Sequence, residues 1–253
     1  APCPMPKDVP NDHVLIKVAY APMNPADWLY LANQYGTEGS MTAPPCVIGM
    51  EGSGTVVKVG EGVDASLVDS KCGFSINKAE VDFYGSWSEY SVVHKMSIIP
   101  FPKDTPLEDI PSVFVNPATV FSMGEEFDAE KGGVALFNAG GSSLCRMAVR
   151  YFKTRNVKTI MIVRRDQHVE ELKAIGADWV LNSKSEGFSK SLKEVIEEAK
   201  PQIFFDAVAG PDAMEIFNLM PDESILYNYG VLSGQGFSGV SPVDLIFRNK
   251  SVR

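Results

Sequence analysis

Val134-Ala135-Leu136-Phe137-Asn138-Ala139-Gly140-Gly141-Ser142-Ser143-Leu144-Cys145-Arg146-Met147-Ala148-Val149-Arg150-Tyr151 reads as a strand, a turn of small residues and a helix. Thr159-Ile160-Met161-Ile162-Val163-Arg164-Arg165 adds a second strand that ends on two arginines. The turn runs from Asn138 to Ser143. Leu144, Met147, Ala148 and Tyr151 then recur at i, i+3, i+4 and i+7, the stripe of one helix face. Small residues let the backbone come close to a ligand, and the helix points unsatisfied N–H groups and a positive dipole end at it. The expected ligand is therefore the pyrophosphate of a dinucleotide. Arg164 and Arg165 stand about 20 residues past the turn, where an acidic residue would bind the ribose 2′-hydroxyl of NAD. Guanidinium groups there favour the 2′-phosphate of NADPH. The glycine fingerprint is altered, because an Ala139, Ser142, Cys145 register stands in for it. Ser142 still permits close approach to phosphate. Cys145 takes the place of the glycine that lets helix and strand pack closely, so a slightly splayed helix is expected. A βαβ unit without a nucleotide is the alternative for the same residues.

Composition narrows the class. The chain has 253 residues, 45% hydrophobic and 22% charged, which suits one large or two medium globular domains. No run approaches the roughly 18 apolar residues of a membrane-spanning helix. A net charge of −9, with no stripe of lysine and arginine, argues against a nucleic-acid partner. Cys3, Cys46, Cys72 and Cys145 show no C-x-x-C spacing, and His13, His94 and His168 are far apart, so neither a disulfide framework nor a metal site is expected. The opening Ala1-Pro2-Cys3-Pro4-Met5-Pro6 lacks the apolar core of a signal peptide.

Two regions follow from pattern. Residues 1–105 carry short strand signals at Val14 to Tyr20, Gly52 to Gly60 and Ser86 to Val93, bounded by Gly and Pro, which predicts a β-rich domain. From residue 106 to 253, strands and helices alternate, which predicts a doubly wound α/β domain on a parallel sheet. Helices are expected over Val169 to Ile175, stopped by Gly176, and through Leu192, Val195, Ile196 and Ala199, stopped by Pro201. Strands are expected at Trp179 to Leu181, Ile203 to Val208 and Ser224 to Tyr229. Leu245 to Arg253 reads as a short helix and a strand just begun, so the sheet lacks its closing elements and the chain reads as a fragment.

Asn24-Pro25-Ala26-Asp27, Gly49-Met50-Glu51-Gly52-Ser53-Gly54 and Val115-Asn116-Pro117-Ala118-Thr119, in this order around such a pattern, resemble the zinc-free medium-chain dehydrogenase/reductase superfamily over nearly the whole chain. The resemblance is strongest to the quinone oxidoreductases and the mitochondrial 2-enoyl thioester reductases. It implies a GroES-like catalytic domain, a Rossmann domain, a cleft between them and NADPH as cofactor. Asn24 and Met50 stand where zinc-dependent relatives carry a cysteine and a histidine, so the resemblance implies hydride transfer without a metal. Asn33-Gln34-Tyr35-Gly36 and Ile162-Val163-Arg164-Arg165-Asp166 lean toward the enoyl reductases, although Tyr-Gly also occurs in quinone oxidoreductases. In the family, a tyrosine at the position of Tyr35 lies beside the nicotinamide and serves the substrate's oxyanion or its proton. A phenol suits the charge that develops on a thioester enolate.

The resemblance makes Tyr35 and Asn24 the catalytic candidates. Thr119, Asn138, Ala139, Gly140, Gly141, Ser142, Ser143, Arg164, Arg165 and Tyr229 are the cofactor-binding candidates, and Trp87 is a substrate-pocket candidate. Each has a plainer reading: Tyr35 as a loop tyrosine, Asn24-Pro25 as a turn, Asn116 to Thr119 as a helix start, Trp87 as strand core. Asp206 either underlies the nicotinamide ribose or satisfies nearby backbone donors. Three functions compete: enoyl thioester reduction, quinone reduction, and a reductase-like structural subunit of a larger assembly that has lost the chemistry. Relatives pair through Rossmann edge strands, which would place a homodimer contact at Ser251-Val252. Compartment follows from resemblance alone, mitochondrial for the enoyl reductases and otherwise cytoplasmic.

Overall fold

Short runs of buried residues build the first sheet, Val14 to Ile16, Cys72 to Phe74 and Ser91 to Val93 among them. In a computed structural model that describes residues 8–32, 34, 47–76, 85–127 and 132–253, the chain divides into two units, Ala1–Pro117 and Ala118–Arg253. The first unit contains β1 (His13–Tyr20), α1 (Pro25–Leu31), β2 (Glu51–Val59), β3 (Lys71–Ser75), β4 (Tyr90–His94) and β5 (Ile98–Phe101). The strands form one five-stranded sheet in the order β4-β1-β2-β3-β5, with every pairing antiparallel. Val14, Ile16, Val56, Cys72, Phe74 and Val93 supply its core, the β-branched and aromatic types that fit a pleated face.

Two details differ from the pattern read off the sequence. β3 and β5 carry no strong strand signal, since β5 contains Pro100. The proline is tolerated because β5 lies at the sheet edge, bonded to β3 alone. Ser86 to Glu89 are bends, and the strand starts only at Tyr90. Local hydrogen bonds explain the curl: the single Ser88 hydroxyl proton is shared between the carbonyls of Gly85 (2.8 Å) and Tyr90 (2.7 Å), and Ser91 Oγ donates to Gly85 O (2.9 Å). Trp87 therefore sits on a bend ahead of the strand, not within it.

The second unit is doubly wound. Helix α2 (Val115–Glu126) leads into it. There follow β6 (Gly133–Phe137), α3 (Ser143–Thr154), β7 (Val157–Val163), α4 (Gln167–Ala174), β8 (Trp179–Asn182), α5 (Phe188–Ala199), β9 (Ile203–Asp206), α6 (Gly210–Leu219), β10 (Ile225–Asn228), α7 (Pro242–Phe247) and β11 (Ser251–Val252). The six strands run in the order β11-β10-β9-β6-β7-β8, and all their pairings are parallel. Successive side chains of β6 feed opposite faces, as a period of two requires. Ala135 and Phe137 join the core that holds Cys145, Phe152 and Phe205, whereas Val134 and Leu136 join the one that holds Leu192, Phe204 and Phe217. Phe137 stacks on Phe205 at 4.9 Å and meets Phe152 edge-on at 5.6 Å. Strand order reverses between β6 and β9, and a sheet of this type binds its ligand outside the carboxyl ends of the strands at that reversal. Among the described residues no helix is long and apolar enough to cross a membrane.

Candidate functional site

The turn after β6 is pinned from beneath. Asn138 directly follows β6 and Asp206 ends β9, the two strands that flank the reversal, and both are buried. Asn138 Nδ2 makes a short hydrogen bond to Asp206 Oδ1, and its Oδ1 accepts from Ala207 N at 2.8 Å. Asp206 also accepts from Val208 N (2.9 Å), from Ala209 N (3.1 Å to either oxygen) and from Asn228 Nδ2 (2.9 Å). Both oxygens of Asp206 are thus spent on donors of β6, β10 and the β9–α6 connection. The framework reading of Asp206 accounts for all of these bonds, and Asn138 likewise serves the scaffold through its side chain.

Above this base the backbone is close-packed and partly unsatisfied. Ala139 adopts a left-handed conformation (φ 49°), a shape that costs a non-glycine residue roughly 1–2 kcal/mol. Gly140 N donates to Ile162 O at 2.9 Å, and a Cβ on Gly140 would lie 3.0 Å from that carbonyl oxygen. On Gly141 a Cβ would lie 2.5 Å from His168 Cδ2. Ser142 caps α3, its Oγ accepting from Cys145 N at 3.2 Å. Among the described residues, no acceptor is assigned to the N–H groups of Gly141, Ser143 and Leu144, the orphan donors that a helix start presents to an anion.

Cys145 is wholly buried, and its thiol donates to Asn138 O at 3.6 Å. Burial pushes this thiol up to about 11, which makes it an inert packing group rather than a nucleophile. Half-buried Tyr229 reaches the same thiol. Burial first, then Cys145 and Asp206, hold its phenol well above the ordinary range. The fold therefore brings Asn138, Cys145, Asp206 and Tyr229 together beneath the turn. Arg164 and Arg165 follow β7 on exposed bends. Sequence reading missed a cluster beside them: Arg146 Nη2 lies 2.5 Å from Glu171 Oε2 and 3.2 Å from His168 Nδ1. The one signal available was the long polar side chain of Arg146, a turn inside the helix.

In the first unit, Asn24 is buried ahead of α1. Its N–H donates to Asp27 Oδ2 (2.8 Å) and its Nδ2 to Glu51 Oε1 (3.0 Å). Glu51, also buried, accepts at Oε2 from Phe114 N (3.2 Å) and Val115 N (2.9 Å), the start of α2. Within the Gly49-to-Gly54 motif nothing local signals this bridge, because its partners lie 27 and 63–64 residues away in the chain. The position that holds a thiolate in zinc-dependent relatives here presents an amide N–H to a carboxylate. That donor chemistry does not fit a zinc ligand. Among the described residues no group of three or more His, Cys, Asp or Glu could hold a metal ion. Trp87 Nε1 donates to Pro22 O at 3.3 Å, and its ring meets that of Trp28 edge-on at 6.5 Å. Trp28, four residues after Asn24, is exposed and was not singled out in the sequence. Thr119 lies half-buried in α2. Tyr35 lies outside the described residues.

Comparison with known proteins agrees with this architecture. Residues 10–103 match the model of the alcohol dehydrogenase GroES-like domain, and residues 144–253 match that of the zinc-binding dehydrogenases. The mitochondrial enoyl-[acyl-carrier-protein] reductase of Dictyostelium discoideum is 29% identical over 250 residues, spanning 97% of this chain and 69% of that protein. A crystal structure from Mesorhizobium loti, provisionally described as an NADPH:quinone reductase, superposes with a TM-score of 0.88 at 35% identity. It covers 98% of this chain and 70% of that one. A mycobacterial protein complexed with NADPH superposes with a TM-score of 0.82 at 22% identity, covering 100% of this chain and 76% of that one, a likeness of fold. The chain spans between 65% and 70% of the length of its curated relatives.

Proposed function

The chain belongs to the zinc-free, NADPH-dependent branch of the medium-chain dehydrogenase/reductase superfamily, and on that premise we propose that it reduces the activated double bond of a 2-enoyl thioester. The observation that carries the reading is the Gly140-Gly141 turn with its unsatisfied N–H groups, set at the reversal of strand order beside an exposed arginine pair. Its residues fit a dinucleotide: a side chain would crowd Ile162 O at Gly140 and collide with the His168 ring at Gly141, and the donors around the turn suit phosphate.

In this reading Gly141, Ser143 and Leu144 hold the pyrophosphate through backbone N–H groups, with Ala139, Gly140 and Ser142 shaping the turn. Arg164 and Arg165 hold the 2′-phosphate. Thr119 and Tyr229 complete the nicotinamide end. NADPH, when bound, supplies the hydride that reduces the double bond. Asn24, fixed by Glu51, orients substrate or ribose. The Tyr35 hydroxyl donates a hydrogen bond to the thioester oxygen, where negative charge grows, or delivers the proton to the α-carbon. Trp87 and its neighbour Trp28 offer apolar surface to the acyl portion. Relatives named as mitochondrial enoyl reductases support both the substrate class and a mitochondrial placement.

Quinone reduction is the second reading, favoured by the 35% identity to the structure described as a quinone reductase. A titration of the purified protein with NADPH and NADH, followed by turnover on crotonyl-thioester and benzoquinone substrates, separates them. Tight NADPH binding with thioester turnover supports the proposal. Turnover on quinones alone transfers it to the second reading, and binding of neither nucleotide refutes both.

A further inference from the structure

Two donors converge on one oxygen at the rim of the dinucleotide turn. Arg146 Nη2 lies 2.5 Å from Glu171 Oε2, and His168 Nδ1 lies 3.1 Å from the same atom. The cluster lies between the two features assigned to the cofactor. On one side the His168 ring packs against Gly141, leaving no space for a Cβ there. On the other, His168 N donates to Arg165 O at 3.2 Å, so the ring is carried on the first turn of α4, directly after the arginine pair. The Arg146 and Glu171 side chains are 30% and 46% exposed, within reach of a ligand.

An exposed ion pair contributes little stability, so its position beside the turn needs a different reason. A carboxylate held by a guanidinium and an imidazole reproduces the donor arrangement that a phosphate oxygen would meet. We propose that Arg146 is a third cation for the 2′-phosphate of NADPH, and that Glu171 is an internal anion that occupies it in the free protein. The assignment rests on the cofactor reading above and deepens it. On binding, the phosphate takes the Arg146 donor from Glu171, and the Glu171 carboxylate is left as a like charge beside the phosphate. Glu171 therefore lowers NADPH affinity while Arg146 raises it, and NADH, which lacks that phosphate, senses neither. A pin between α3 and α4 with no ligand role would behave otherwise: removing either partner would then act alike on both nucleotides.

The test is fluorescence titration of the full chain with NADPH and with NADH, in the parent and in Arg146→Met, Arg146→Lys and Glu171→Gln, with thermal melting as the check on folding. Arg146→Met is expected to weaken NADPH about tenfold, the scale of one charge-assisted hydrogen bond, and to leave NADH unchanged. Arg146→Lys should recover part of the loss. Glu171→Gln should tighten NADPH severalfold without moving NADH. An unchanged NADPH/NADH ratio in Arg146→Met and Glu171→Gln overturns the proposal, provided that Arg164→Ala or Arg165→Ala still lowers it. If the parent binds neither nucleotide, the cofactor reading itself falls and takes this assignment with it. Should Arg146→Met not fold, Arg146→Lys and Glu171→Gln decide together, because an Arg146 that never meets the phosphate leaves the NADPH affinity of Arg146→Lys at that of the parent.

Discussion

Replacing Asp206 with Asn keeps the shape of the side chain and removes one acceptor. Asp206 lies fully buried and accepts from Asn138, Val208, Ala209 and Asn228. An asparagine amide must turn its NH2 toward one of these donors. The cheaper orientation keeps oxygen at the Oδ1 position, where Asn138, Val208 and Ala209 donate, and turns nitrogen toward Asn228 Nδ2. One hydrogen bond to a charged group is lost, about 1.5–3 kcal/mol, and a buried donor is left facing a donor, about 1–3 kcal/mol. The sum, about 2.5–6 kcal/mol, is a large share of the roughly 5–15 kcal/mol that stabilises a typical protein. Native-state hydrogen exchange at Phe204 and Leu226, which lie in the same two strands as Asp206 and Asn228, reads it locally and avoids treating a two-unit chain as two-state. Protection should fall about 60-fold or more, at about 1.4 kcal/mol per tenfold. Because the same bonds hold Asn138 at the start of the turn, NADPH affinity should fall as well. Protection within about threefold of the parent, under about 0.7 kcal/mol, would refute the view that Asp206 clamps the reversal point.

Further predictions test strain, ionisation and chemistry. Ala209 sits at φ 59°, ψ −168°, a region that strains any residue but glycine by about 1–3 kcal/mol. Ala209→Gly should therefore raise the urea midpoint, and a lowered midpoint would show that the strain is absent. Burial pushes the thiols of Cys72 and Cys145 up to about 12 and about 11, against a reference of 9.0. The unfolded chain then loses these protons first, so stability is full below about pH 9 and declines as pH rises through the interval to about pH 11–12. Alkylation of both thiols at pH 8 should await unfolding, and rapid labelling of the native protein would contradict that burial. At the acid end, Lys95 holds the Asp12 carboxyl, and Arg146 with His168 holds that of Glu171, below their reference values of 3.8 and 4.5. Their small, salt-sensitive contributions are present above those values and vanish as pH falls through the lowered folded ones. Tyr35→Phe should cut thioester turnover about 100-fold or more, the scale of general acid catalysis, while leaving NADPH affinity unchanged. Full turnover in that variant removes Tyr35 from the chemistry.

By itself the sequence determined what depends on neighbours along the chain. The apolar run from Val134 to Phe137, the small residues after it and the i, i+3, i+4, i+7 stripe of α3 are local patterns, and they specify the strand–turn–helix without reference to anything distant. Alternation of such units forces a parallel sheet, so the doubly wound second unit followed, as did the stops at Gly176 and Pro201. Local pattern failed where a pairing partner supplied the order. β5, with Pro100, is a strand because β3 lies beside it, and Trp87 is on a bend because serine hydroxyls bond their own backbone. The site shows the same division. The turn and the arginine pair were legible as composition at a spacing. The Asn138–Asp206–Asn228 clamp, the Glu51 bridge from Asn24 to the start of α2, and the Arg146–Glu171–His168 cluster join residues far apart in the chain. A buried carboxylate is tolerated only when donors surround it, and which donors those are is settled by how strands and helices are brought together, not by the order in which the residues are written.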